Sequence, residues 1–221
     1  WADRRVRELE NENLCGFIFK SKSPSSGMER VKVYNGRGGL SGRGTGLFAN
    51  AFMTHFPLLP VEEEGRLHDA DIRENFIERV FVARRWQKLV AEGVSRGGLV
   101  DFHTRHKLLV LAHSPEIYRQ MGRLVAGHHD LSTQETYAAY LTLLMKGLRL
   151  MPTTRKHVNV LQHVLGYFKK QLDADEKQEQ QFETWLSGKG IPFISAEAEE
   201  AYKARVLLIK DAGLRGQVKI M

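Results

Sequence analysis

Residues 114–151, SPEIYRQMGRLVAGHHDLSTQETYAAYLTLLMKGLRLM, decide the fold class. Ser114 stands where its hydroxyl can cap a helix, and Pro115 follows at the first helical position, where the missing N–H costs nothing. Ser132 with Glu135 forms a capping box opening a second helix that reaches about Met151. Stop and start signals this close together imply antiparallel neighbours in a helical bundle. Outward from this stretch the pattern repeats. Helices are predicted over Ala70–Ala91, with Ile72, Phe76, Val80, Ala83 and Val90 on one face, and over Leu99–His113. Thr154 opens another over Arg155–Gln171. Asp173 with Glu176 opens a shorter one that stops at Gly188, and Ser195 caps a last one over Ala196–Ala212, before an alternating tail, Gln217–Met221, that reads as an edge strand or a frayed end.

The opening third reads differently. Residues 1–12 carry Val6 and Leu9 three apart and read as the end of an amphipathic helix. Leu14–Phe19 and Arg30–Tyr34 are β-rich runs separated by the turn-forming Ser21–Gly27. Asn35–Gly46 is half glycine, which predicts a flexible hairpin loop, with an anion site at the following helix start as the alternative. Leu47–Phe56 then reads as a helix stopped by Pro57. The acidic run Glu62–Glu64 is expected to be a solvated connector. The chain is therefore mainly α: an incomplete α/β part over residues 1–60, an all-α domain over 61–193, and a tail helix within 194–221.

Composition narrows the function classes. The longest apolar run, Leu108–Ala112, is far too short to span a bilayer, so no membrane span is expected. With one cysteine in 221 residues, neither an internal disulfide nor a thiolate metal cluster can form within the chain, and a reducing, cytoplasmic location is expected. The chain opens at Trp1 without a leader pattern, which predicts a fragment of a longer protein. Thirty-three Lys and Arg against 26 Asp and Glu give a net charge of +7, which favours a polyanionic partner.

The position of that charge is informative. On a helical wheel Val158, Val160, Leu161, Val164, Leu165 and Phe168 fall on one arc of the 155–171 helix. Arg155, Lys156, Asn159, Gln162, His163, Lys169 and Lys170 fill the other, around Gly166. Between Glu135 and Asp173 there are six Lys and Arg and no Asp or Glu. An ordinary solvated helix mixes both signs, so phosphate is the natural counter-charge, and the arc is the candidate surface for a nucleotide or RNA. A solvated basic face is the alternative. His103, His106 and His113 share one helical face, but their spacing suits packing better than tetrahedral zinc, so no metal site is assigned.

Gly16–Tyr34 (GFIFKSKSPSSGMERVKVY) and Gly46–Asp69 resemble the C-terminal part of the thiouracil desulfidase-like family. Ile72–Trp86, Gly98–Glu116 and Thr154–Glu179 resemble the YbgA-like helical domain, which is often fused behind it. The resemblance implies an α/β domain that removes sulfur from thiolated uracil compounds at a [4Fe-4S] cluster held by three cysteines, followed by a helical domain of undetermined role; the expected function is in thiolated nucleobase or thiolated tRNA metabolism. The family's S-P-S-C-G cysteine is Ser26 here, and its other cysteine motifs would lie before Trp1. No cofactor is therefore expected in this chain, which should be catalytically inactive alone, with Cys15 a buried structural residue. Ser23, Ser25 and Ser26 are the candidate substrate-binding residues, and no catalytic residue is assigned. A non-enzymatic helical module that packs or forms a homo-oligomer is the alternative function.

Overall fold

A computed structural model describes residues 1–127, 130–167 and 218–220. It divides into two compact units, Trp1–Val94 with Arg215–Met221, and Ser95–Leu214.

The first unit is α/β. Its central strand, β1 (Gly16–Phe19), is buried along its whole length, as a strand covered on both faces must be. It pairs in parallel with β4 (Val61–Glu63), Phe17 opposite Val61, and with β5 (Val218–Ile220), Gly16 opposite Val218. Helices α1 (Ala2–Leu9) and α2 (Leu47–His55) bury Val6, Leu9, Phe48, Ala49 and Phe52 in one core with Phe17 and Phe19. Rings of Phe17 and Phe52 lie 4.3 Å apart between centroids, within the range where aromatic pairs gain beyond area burial. The long α3 (Ala70–Ala91) is capped by Asp69, whose carboxylate accepts the N–H groups of Asp71 and Ile72 at 2.9 and 3.1 Å.

Both β-rich runs are strands, and two other expectations for this unit are corrected. β2 (Val31–Tyr34) pairs antiparallel with β3 (Leu40–Gly44), inside the stretch read as a flexible glycine loop. That stretch is an ordered hairpin, because Asn35 accepts the N–H groups of Arg37 and Gly39 at 3.0 and 2.8 Å and so fixes the turn. Nor is the acidic run a solvated connector. Glu62 and Glu63 lie in strand β4 at 5% and 6% exposure, Glu62 paired with Arg66 and Arg79 and Glu63 accepting the amides of Met28 and Glu29.

The second unit is helical: α4 (Arg96–His113), α5 (Pro115–Ala126), α6 (Thr133–Leu148) and α7, described over Thr154–Tyr167. The expected caps are present. Ser114 accepts the N–H of Ile117 at 3.2 Å, and Ser132 and Glu135 form the reciprocal capping box. Helix α4 starts one turn before the expected Leu99, because Ser95 caps it by accepting the N–H of Gly98; α6 stops at Leu148 rather than about Met151. Tyr140, Leu144, Leu148, Met121 and His113 are among the fully buried side chains of this unit. The helices expected from Asp173 and from Ala196 lie outside the described residues.

Candidate functional site

Loop Lys20–Arg30 leaves the carboxyl end of β1, the place where open parallel sheets bind ligands. It is built by its own backbone and two glutamates. The Ser23 carbonyl accepts the N–H of Gly27 at 2.8 Å, and the Ser23 hydroxyl oxygen accepts the N–H of Ser26 at 3.2 Å. Glu63 accepts the N–H groups of Met28 and Glu29 at 2.7 and 3.3 Å, and Glu64 that of Ser21 at 2.6 Å. Lys22 and Arg30, both at φ 61°, flank it in left-handed conformations uncommon outside glycine. Ser25 is exposed, while Ser23 and Ser26 are half-buried.

The loop also closes the start of α2. Pro24 O accepts the N–H of Leu47, and Ser25 O accepts those of Phe48 and Ala49, at 2.8 to 3.2 Å. The amides that could have formed an anion site at this helix start are thus taken by loop carbonyls, which removes that alternative for the glycine stretch. Such close approach requires glycine at position 46, where a Cβ would overlap the Ser25 carbonyl. Among the described residues no His or Asp side chain hydrogen-bonds to Ser23, Ser25 or Ser26, so nothing there activates a serine nucleophile. What the loop offers is hydroxyl groups on a rigid, preorganised turn.

Behind it, Glu62 is paired with Arg66 at 2.9 Å and with the buried Arg79 at 3.9 Å, and Arg66 also holds Glu29 at 2.7 Å. Sequence reasoning missed this network. The only signal was three consecutive glutamates directly after an apolar stretch.

In the second unit α7 packs against α4. Lys156 donates to the carbonyls of His113 at 2.8 Å and Met151 at 3.0 Å, placing its charge at the negative C-terminal end of α4. Val158, Val160 and Val164 of the apolar arc are half-buried, whereas Leu161, expected to pack, is 45% exposed. Arg155, Asn159, Gln162 and His163 are exposed. The His163 ring meets Tyr118 of α5 edge-on at 6.1 Å, an aromatic neighbour with no signal in the sequence. Lys169 and Lys170 lie outside the described residues.

Residues 1–64 match the family described as 2-thiouracil desulfurase, and residues 107–184 match the family described as protein of unknown function (DUF1722). The chain thus carries one stretch similar to each of these two families. It is also 37% identical over 102 residues to "Uncharacterized protein YbgA" of Escherichia coli (strain K12), a match that covers 46% of this chain and 60% of that protein's length. No solved structure matches the chain. The two segments bracket the two surfaces: the serine loop lies in the desulfurase-type segment, and the described part of α7 lies in the DUF1722 segment.

Thiolate ligation of an iron–sulfur cluster does not fit the residues present. Cys15 is fully buried, donates its S–H to the Gln87 carboxamide oxygen at 3.2 Å, and burial pushes its thiol up, away from the thiolate that iron requires. Ser26 stands where the resemblance places a cysteine. The purified chain is accordingly expected to be colourless and iron-free after anaerobic reconstitution. Stoichiometric iron with broad absorbance in the visible blue, lost in Cys15→Ser, would overturn this.

The histidine face of α4 is hydrogen-bonded. His106, 6% exposed and stacked on Phe102 at 4.0 Å, donates from Nδ1 to the Phe102 carbonyl at 2.8 Å; His113 bonds the Leu150 carbonyl at 2.6 Å; His103 pairs with the Tyr140 hydroxyl at 3.2 Å. Among the described residues no group of three or more His, Cys, Asp or Glu is placed to hold a metal ion. Burial, helped by Lys107 and His106, lowers the His103 pKa. Protons therefore bind the unfolded state more readily, and the stability that His103 contributes is complete above about pH 6.5 and lost as pH falls toward its lowered value. Melting temperature should fall over that acid window, with a shallower fall in His103→Gln. An unchanged slope in the variant would remove His103 as the cause.

Proposed function

We propose that the chain acts in the metabolism of thiolated nucleobases or thiolated tRNA, with its helical unit binding the phosphates of a nucleotide or RNA. The desulfurase-type segment supports a role in sulfur metabolism. The observation that carries the binding half is the face of α7: Arg155, Asn159 and Gln162 are exposed, no acid occurs between Glu135 and Asp173, and Tyr118 with His163 supplies ring edges beside it. Donors that face water, in a stretch of sequence without acids, suit phosphate oxygens, and an aromatic neighbour suits an unstacked base. Lys156 contributes its charge to this face while its ammonium is held by carbonyls, so it positions rather than reaches. In the first unit, the hydroxyls of Ser25 and Ser26 are suited to hydrogen-bonding the polar edge of a thiolated base, while Ser23 shapes the turn.

Fluorescence anisotropy of labelled single-stranded RNA, titrated with the parent and with Arg155→Glu/Gln162→Glu, tests this reading. Salt-sensitive binding that the variant loses supports it; equal binding by both contradicts it.

The alternative of a non-enzymatic packing module has its own observation. Leu150, Met151 and Leu161 are 46%, 39% and 45% exposed near and along the same helix. A chain that sediments as a dimer and ignores RNA would favour this alternative.

A further inference from the structure

The β2–β3 hairpin is a cationic ribbon whose strands and turn carry no acid. From Arg30 to Val61 the sequence contains no Asp or Glu, yet carries Arg30, Lys32, Arg37 and Arg43. Every residue from Lys32 to Arg43 is exposed. Lys32 lies directly opposite Arg43 in the ladder, and Tyr34 opposite Leu40. Like charges facing each other across a ladder are destabilising, and neither Lys32, Arg37 nor Arg43 pairs with a carboxylate among the described residues. Two-stranded ribbons exposed on both faces are marginal by themselves.

This one is held at both ends. At its base Val31 is 5% exposed, Gly46 donates to the Gly27 carbonyl at 2.8 Å, and Glu63 accepts the amides of Met28 and Glu29. At its tip Asn35 organises the turn, with Gly38 at φ +77°. The charges are therefore presented on a fixed arm.

We infer that the β2–β3 ribbon is a binding arm for single-stranded RNA, in which Lys32, Arg37 and Arg43 contact phosphates and the 59%-exposed Tyr34 ring stacks a base. Charge complementarity selects a polyanion, and an exposed aromatic interleaved with cations selects unstacked bases over a plain anionic surface. The base of the arm is hydrogen-bonded into the serine loop, so RNA bound along it passes beside Ser25 and Ser26. The inference uses none of the α7 face; it shares with the proposed function the class of ligand and the serine loop beside which that ligand passes.

The test titrates labelled single-stranded RNA with the whole chain at salt from about 50 mM upward. Lys32→Gln/Arg43→Gln is expected to lower the log–log salt slope by about 1.4, at about 0.7 for each lost phosphate contact. Tyr34→Ala is expected to weaken binding at least about fivefold with little change in slope. Unchanged melting temperatures establish that the variants fold, and Arg37→Gln at the turn tip, expected to lower the slope by about 0.7, replaces the double variant if that one does not. Parental affinity and slope in these variants, with loss confined to Arg155→Glu/Gln162→Glu, overturn the ribbon and leave the α7 reading standing. Loss confined to the ribbon variants does the reverse. Binding of the parent to acidic phospholipid vesicles but not to RNA overturns the inference.

Discussion

Replacing Glu62 with alanine should lower the unfolding free energy of the first unit by about 3 kcal/mol, the low end for breaking a buried ion pair. The Glu62 carboxylate is 6% exposed and the Arg79 side chain facing it 8%, so removing the acid leaves a guanidinium with little water to solvate it. The 3.9 Å separation keeps the expected cost at that low end. Arg66 loses a partner as well but stays bonded to Glu29. For a unit of this size the loss corresponds to a fall of roughly 12–24 °C in melting temperature by calorimetry. Glu64→Ala, which removes one hydrogen bond to the Ser21 amide from a half-buried position, should cost only about 1 kcal/mol. Equal effects of the two substitutions would show that the buried pair contributes little.

The second large effect is on binding. Arg155→Glu with Gln162→Glu changes the charge of the α7 face by three units at exposed positions. Each unit at contact distance from a phosphate is worth about 1 kcal/mol in water, so affinity for single-stranded RNA should fall roughly 100-fold at low salt. Thermal stability should change little, since neither side chain is buried. Lys88→Glu on α3 is the control: its ammonium is exposed, 3.8 Å from Glu92, and its reversal should leave binding near the parent's. A second variant, Lys169→Glu/Lys170→Glu, extends the reversal along the sequence and is read together with its melting curve. Equal losses in the α7 variant and the Lys88 control would mean that net charge alone, and no defined surface, attracts RNA.

Local signals proved the most readable. Ser114, Pro115, Ser132 and Glu135 fix helix starts through bonds within four residues, and all of these caps are present. The limits of α3 follow from an Asp cap and an unbroken helical period. What the sequence hid depends on partners far along the chain. Glu62–Glu64 looks like a hydrophilic connector unless Arg66, Arg79 and the amides of residues 21, 28 and 29 are known to meet it. The hairpin inside the glycine stretch depends on Asn35 folding back on two amides, a turn that residue counting reads as looseness.

Of the candidate residues, the serines do share one turn, although Ser23 spends its hydroxyl oxygen on the Ser26 amide. Along the described part of α7 the wheel separates exposed Arg155, Asn159, Gln162 and His163 from half-buried Val158, Val160 and Val164, with Leu161 and Lys156 as its exceptions. Lys156 is drawn to the carbonyl end of α4, an electrostatic preference that hydrophobic periodicity does not register.

The most direct measurement of the central claim, that this chain presents a phosphate-binding surface, is the salt dependence of single-stranded RNA binding by the unmodified chain. Neutralising about four phosphates gives a log–log slope near 2.8, so a fourfold rise in salt should weaken binding roughly 50-fold. A slope near zero, or no binding at low salt, would contradict the claim.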